Sequence, residues 1–278
     1  MVWPPISHKA MVWPPMVKAI AKTKNKMRKI IIAGNWKMYK TLKEGEDLTV
    51  ALKRELYDVE NVDIVVCPPY TLLAYIADAL ETSNILVGAQ DIYWQDEGAF
   101  TGEVSGKMIK DTGCKYVIIG HSESRQFFDE TNETVNKKIK AALKYELTPI
   151  VCVGETLAQR EAGKTFAILE EHVKGAFNGL TEEEAEKATI AYEPVWAIGT
   201  GKTATPDQAQ EVHKYIREFI NKLFSEDLAN SIRIQYGGSV KPENTLELMK
   251  QPDVDGALVG GASLQVSSFA SIVKKASE

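Results

Sequence analysis

Eight short apolar runs, each followed by a longer stretch, recur between Lys29 and the C-terminus. They read KIIIAGNWK, VDIVVCPPY, ILVGAQD, YVIIGHSE, PIVCVGE, ATIAYEP, IRIQYGG and DGALVGG. Apolar residues fill each run instead of alternating with polar ones, the pattern of strands buried on both faces of a parallel sheet. The segments between them include stretches of helical period, clearest at 42–56, 134–147, 208–223 and 268–274. Eight strand-then-helix units in about 250 residues match a (β/α)8 barrel in size and count. A doubly wound open sheet would want a glycine-rich first turn. Asn35-Trp36-Lys37 is no such turn, and no linker interrupts the rhythm. The expected fold is therefore α/β, a single barrel domain over residues 27–278.

Residues 1–26 fall outside that pattern. MVWPP occurs at 1–5 and again at 11–15, and a lysine-rich stretch follows. Repetition with paired prolines does not read as part of a packed domain. The segment lacks acids, as a transit peptide would, but it has one serine and no arginine. It is read as an N-terminal extension, disordered or non-native.

Charge and cysteine usage narrow the function classes. The chain has 33 basic and 38 acidic residues; five lysines and no acid lie in 1–26, so the remainder carries a net charge of −10. Such a body disfavours nucleic acid as a partner and requires any anion site to be locally positive. No window approaches the roughly 18 consecutive apolar residues of a membrane span, so no membrane partner is expected. Cys67, Cys114 and Cys152 are odd in number, lie far apart and make no ligand spacing. That pattern points to a reducing, cytoplasmic setting and to no structural zinc.

In a barrel of this kind, active groups sit at the C-terminal ends of the strands. Those ends carry Asn35 and Lys37, His121, Glu193, Gly237-Gly238-Ser239 and Gly260-Gly261. Lys37 in isolation would be a solvated lysine; beside Asn35 at a strand end it suits an anion-binding charge. His121 follows Gly120 and precedes Ser122-Glu123, at what reads as the start of a helix. A helix N-terminus disfavours imidazolium, so a neutral, hydrogen-bond-donating ring is expected. A structural histidine at the barrel edge is the alternative.

Glu193 could be a plain ion-pair partner, but the loop after it argues for more. Val195, Trp196, Ala197 and Ile198 have no reason to lie in a solvated connection unless that loop folds down on something. Pro194 stiffens one end, and Gly199 and Gly201 loosen the other. The acid then works as a base beneath a cover that excludes water. The glycine pairs after the seventh and eighth runs lie where barrels commonly hold phosphate on backbone N–H groups.

AGNWKM (33–38), GHSES (120–124), CVGET (152–156), AYEPVWAIGTGKTAT (191–205), YGGSV (236–240) and LVGGASL (258–264) closely resemble the triosephosphate isomerase family, in order and with its spacing. The resemblance implies a TIM barrel that interconverts dihydroxyacetone phosphate and D-glyceraldehyde 3-phosphate, without metal or organic cofactor. It implies that Glu193 moves a proton between adjacent carbons and that His121 polarises the carbonyl. Lys37 would stabilise the developing oxyanion, and Asn35 would orient the substrate. Ser122 and Glu123 would support His121 and Lys37. Gly199, Ser239, Gly260 and Gly261 would hold the phosphate, and Tyr236 the closed flap. Phe100–Glu103 resembles a loop that enters a partner subunit, implying a homodimer. Ser124 departs from the pattern, since two basic residues commonly follow the histidine-serine-glutamate. Two other chemistries use the same rim: an aldolase with Lys37 as Schiff base, or a metal held by Glu123 and Glu193. A non-enzymatic binding scaffold is the third alternative.

Overall fold

The computed structural model describes residues 28–198 and 203–278, so the extension over 1–26 and the flap residue Gly199 lie outside the described residues. Eight strands, β1 (Ile30–Asn35), β2 (Val62–Cys67), β3 (Ile85–Ala89), β4 (Tyr116–Ile119), β5 (Thr148–Val153), β6 (Thr189–Tyr192), β7 (Arg233–Tyr236) and β8 (Gly256–Val259), pair in chain order as a closed parallel barrel. All eight coincide with the apolar runs. β1 closes the ring on β8, pairing Ala33 with Leu258.

Helices wrap the outside. The first five are α1 (Leu42–Leu56), α2 (Leu73–Leu80), α3 (Gly106–Asp111), α4 (Ser122–Phe127) and α5 (Asn132–Lys144). They are followed by α6 (Leu157–Glu161), α7 (Thr165–Ala176), α8 (Glu182–Glu186) and α9 (Pro206–Leu223). The last three are α10 (Glu226–Ser231), α11 (Thr245–Met249) and α12 (Val266–Ala276). The four segments of clear helical period appear as α1, α5, α9 and α12; α7, at 12 residues, is at least as long as α12 and is not among them. Helix starts follow local chemistry: Thr131, Thr156, Thr181 and Thr205 each close a capping box, and Pro206 opens α9. Among the described residues, no helix is long and apolar enough to cross a membrane.

The strands need apolar side chains on both faces because both are covered. Ile31, Ala33, Val65, Ile118, Ile150 and Leu258 point into the barrel and form the inner cluster. Ile32, Ile64, Val66, Ile119, Val151 and Ile190 point outward and join the larger layer beneath the helices. Side chains of neighbouring residues therefore divide between two cores, and no polar alternation is left in the sequence.

Charge is admitted at the N-terminal end of the barrel, paired. Asp255, fully buried, receives Arg28 Nε at 2.8 Å and Arg217 Nη2 at 2.6 Å, and its Oδ2 also accepts the Ile234 N–H at 3.0 Å. Arg217 continues to Asp253 at 2.7 Å and to the carbonyls of Ala229 and Ile232. This network ties the entry to β1, the ends of β7 and β8, and the middle of α9.

Candidate active site

The residues singled out at strand ends converge on one cavity of about 330 Å³ at the C-terminal mouth of the barrel. Asn35, Lys37, His121, Glu193, Ser239, Gly260 and Gly261 all line it. Ser122, Glu123 and Tyr236 stand behind that lining, and Gly199 lies outside the described residues.

Glu193 follows β6 and is almost fully buried. Its backbone N–H donates to Val153 O at 2.8 Å, which extends the β5 pairing by one residue. The carboxylate accepts two hydrogen bonds: from His121 Nε2 on Oε1 at 2.9 Å and from the Ser122 N–H on Oε2 at 2.9 Å. Gly237 permits this placement, because a Cβ there would stand 2.9 Å from Glu193 Cγ. Burial pushes the Glu193 pKa up, but His121, the Ser122 amide and Lys37 together bring it below the ordinary carboxylate value.

His121 is the N-cap of α4, and its Nδ1 accepts the Glu123 N–H at 3.1 Å. With Nδ1 occupied as an acceptor, the proton of the neutral ring is on Nε2, where it faces Glu193. The charge balance differs from the expectation of a disfavoured imidazolium. Burial lowers the His121 pKa, but ionised Glu193, with a further pull from Glu123, leaves it above the ordinary histidine value. The reason is non-local: the carboxylate that overrides the helix start arrives from β6.

Lys37 adopts φ 51°, a left-handed backbone that lysine rarely takes. Side chains clamp both its peptide groups. Asn35 Oδ1 accepts the Lys37 N–H at 2.9 Å, and Gln90 Nε2 donates to Lys37 O at 2.8 Å while also reaching Cys67 O. This turn delivers Nζ to Glu123 Oε1 at 2.6 Å, beside the cavity. Lys37 and Glu123 thus neutralise each other, while Glu193 is engaged with His121. The two carboxylates of the metal alternative therefore already have cationic or hydrogen-bonding partners. Among the described residues, no group of three or more His, Cys, Asp and Glu is placed to hold a metal ion.

The opposite wall is backbone. Gly260 and Gly261 follow β8, and Gly261 opens a single 3₁₀ turn, Gly261–Leu264. Ser263 Oγ donates to Gly260 O at 2.7 Å, and Asn244 Nδ2 donates to Ser239 O at 3.0 Å, which fixes both turns from behind. A Cβ at Gly261 would meet nothing within 4 Å. The protein itself does not fill that space; it is room for a ligand to approach main-chain N–H groups.

Two residues that sequence reasoning passed over organise the flap and the lysine turn. Glu155, fully buried, accepts Trp196 Nε1 at 3.0 Å, Tyr192 Oη at 3.2 Å and Arg160 Nη1 at 3.0 Å. Its carbonyl accepts the Val195 N–H, and Arg160 lies over the Trp196 ring at 4.8 Å. Glu155 therefore anchors the near end of the flap; it stands two residues beyond β5, in the CVGET segment, where no single residue had been given a role. Gln90 holds the lysine turn. At the flap's far end the Tyr236 hydroxyl faces the Ala204 N–H, and burial pushes its pKa up to about 12.

Comparison with known proteins gives a consistent family. The family model described as triosephosphate isomerase matches residues 30–276. A triosephosphate isomerase of Carboxydothermus hydrogenoformans is 60% identical over 248 residues, 89% of this chain and 99% of that protein. That of Moorella thermoacetica is 59% identical over 247 residues, covering 89% and 98%, and that of Citrifermentans bemidjiense is 57% identical over 248 residues, covering 89% and 99%.

Proposed function

The chain belongs to the triosephosphate isomerase family, and on that premise we propose that Glu193, His121, Lys37 and Asn35 carry out its reaction. It is an isomerase that interconverts dihydroxyacetone phosphate and D-glyceraldehyde 3-phosphate, a step of glycolysis and gluconeogenesis. The observation that carries the residue assignment is the 2.9 Å approach of the Glu193 carboxylate to His121 Nε2, on the wall of the cavity shared with Lys37 and the glycine turns.

The phosphate sits against the N–H groups of Ser239, Gly260 and Gly261; Gly199, the fourth residue assigned to this grip, lies outside the described residues. The carbonyl end then points to His121 Nε2 and Lys37 Nζ, oriented by Asn35. Glu193 leaves its two resting partners and takes the proton from the carbon beside the carbonyl. Both resting contacts lower its basicity, so turning away from them beneath the flap restores it when the base is needed. The enediolate oxygen accepts from His121 and is stabilised by Lys37, and Glu193 returns the proton to the neighbouring carbon. The ring exchanges protons between the two oxygens and needs no proton on Nδ1, which the Glu123 amide holds as an acceptor.

A coupled assay of triose phosphate isomerisation tests the assignment directly. Lys37→Ala is expected to raise KM by an order of magnitude or more, since it removes one of the positive side chains that line the cavity. KM and kcat both matching the natural chain would reject Lys37 as a substrate contact.

The same reading extends to a cytoplasmic homodimer assembled through the Phe100–Glu103 loop. Phe100 stacks its ring on Tyr93 at 4.9 Å yet remains exposed, as do Met38, Phe127 and Phe128. We read these exposed apolar side chains as part of the face that the partner subunit covers. Light scattering is expected to give about twice the 30.8 kDa chain mass, and Phe100→Asp is expected to move the value toward one chain. A natural chain that runs at 30.8 kDa would reject the dimer.

A further inference from the structure

His213 is fully buried and is not among the residues that line the cavity. It lies on α9, about two turns beyond Pro206, where the chain leaves the flap. Its Nδ1 faces Asp253 O at 3.1 Å, so the neutral ring carries its proton there and donates. Nε2 is buried without a partner among the described residues. Burial pushes the ring's pKa down to about 4 and keeps it uncharged. One edge of the imidazole is thus pinned, and the rest of it serves as packing surface.

Two tyrosines meet that surface. Tyr192, the last residue of β6, stands edge-on to the ring with centroids 5.8 Å apart. Tyr236, paired with Tyr192 across β6 and β7, lies tilted to it at 6.3 Å. Both separations fall within the roughly 4.5–7 Å of aromatic contacts. Each tyrosine ends on a different part of the flap. Tyr192 Oη donates to Glu155 Oε1, the same oxygen that accepts Trp196 Nε1 at the near end. Tyr236 Oη faces the Ala204 N–H at the far end. That hydroxyl also lies against the turn after β7, since a Cβ at Gly238 would run into it and would approach Pro194 Cγ at 3.0 Å.

We infer that His213 is a positioning residue, whose ring ties the two tyrosines together so that both ends of the flap and the Gly238 turn move as a unit. Close packing makes the link stiff, because neither tyrosine ring shifts far without displacing an imidazole that is itself held to the Asp253 carbonyl. The hydrogen bond sets where the ring stands, and the ring contacts carry the coupling. This role rests on closure of the flap over the substrate.

Two variants separate the hydrogen bond from the ring. His213→Asn keeps a donor near Nδ1 and deletes the rest of the imidazole. His213→Phe keeps a ring and drops the donor, leaving Asp253 O to Arg217 Nη2 at 3.3 Å. The asparagine variant is expected to lower kcat/KM by about tenfold, and to weaken phosphoglycolate binding by a similar factor, the scale of a small misplacement remote from the chemistry. The phenylalanine variant is expected to recover most of both. In a Tyr236→Phe background, adding His213→Asn is expected to cost less than about twofold, since the link is already cut. In the natural chain, saturating phosphoglycolate is expected to shift the NMR signals of the His213 ring, a measurement that needs no variant to fold. Equal losses in the two single variants, losses that add in the double variant, or a ring that phosphoglycolate leaves unmoved would each overturn the link. Tyr236→Phe without effect of its own would remove the flap's grip and this link with it. A costly Tyr236→Phe beside a silent His213→Asn would remove the link alone.

Discussion

Glu193→Gln is expected to lower kcat by about 10²–10⁴-fold, the usual contribution of a positioned general base, with the melting temperature unchanged or higher. The carboxylate accepts from both His121 Nε2 and the Ser122 N–H. A glutamine offers one acceptor and one donor to two donors, and the His121 ring cannot easily reverse because Nδ1 already accepts the Glu123 amide. The variant therefore loses the base and misfits its resting partners. Removing a buried charge offsets that misfit, because such a charge is costly to keep from water. The coupled assay and a thermal melt on one preparation give both numbers. A kcat within tenfold of the natural chain would sink the assignment of Glu193.

Asp255→Ala is expected to do the reverse, sparing chemistry and weakening the fold by about 3–5 kcal/mol, the usual cost of leaving a buried ion-pair partner uncompensated. Arg28 and Arg217 both point at this carboxylate, and the Ile234 N–H donates to it as well. Arg28 would keep the carbonyls of Asn230 and Pro252, and Arg217 would keep Asp253. Neither set replaces the charge that both guanidiniums share. Against a total stability of about 5–15 kcal/mol, this is a large fraction, visible as a melting point lower by roughly 10 °C. At temperatures where the variant remains folded, kcat should match the natural chain. An unaltered denaturant midpoint would show that the network is not stabilising.

The two outcomes separate the halves of the barrel. Together they would assign stability to the charges at the N-terminal end and reactivity to those at the C-terminal mouth. The C-terminal rim was legible beforehand, because a strand buried on both faces is a continuous apolar word and its C-terminal neighbours can be read off directly; the Asp255 network was not, because its partners come from residues 28, 217 and 234. Asn35, Lys37, His121 and Glu193 were found that way. Glu155 and Gln90 were not, because their roles come from contacts 41 and 53 residues away, with Trp196 and Lys37. The upward pull of Glu193 on the His121 pKa was out of reach for the same reason. A helix start is a local signal, but the carboxylate that outweighs it lies 72 residues further on. Apart from α7, the helices passed over have five to eight residues, too few turns to display a period.

The backbone at Lys37 has one more implication. A left-handed φ of 51° costs an L-residue with a long side chain roughly 1–2 kcal/mol, an expense glycine would escape. The architecture therefore accepts local tension at a place where it projects an ammonium group into the cavity. Selection for heat resistance alone would drift away from lysine here, and its persistence would have to be enforced by turnover.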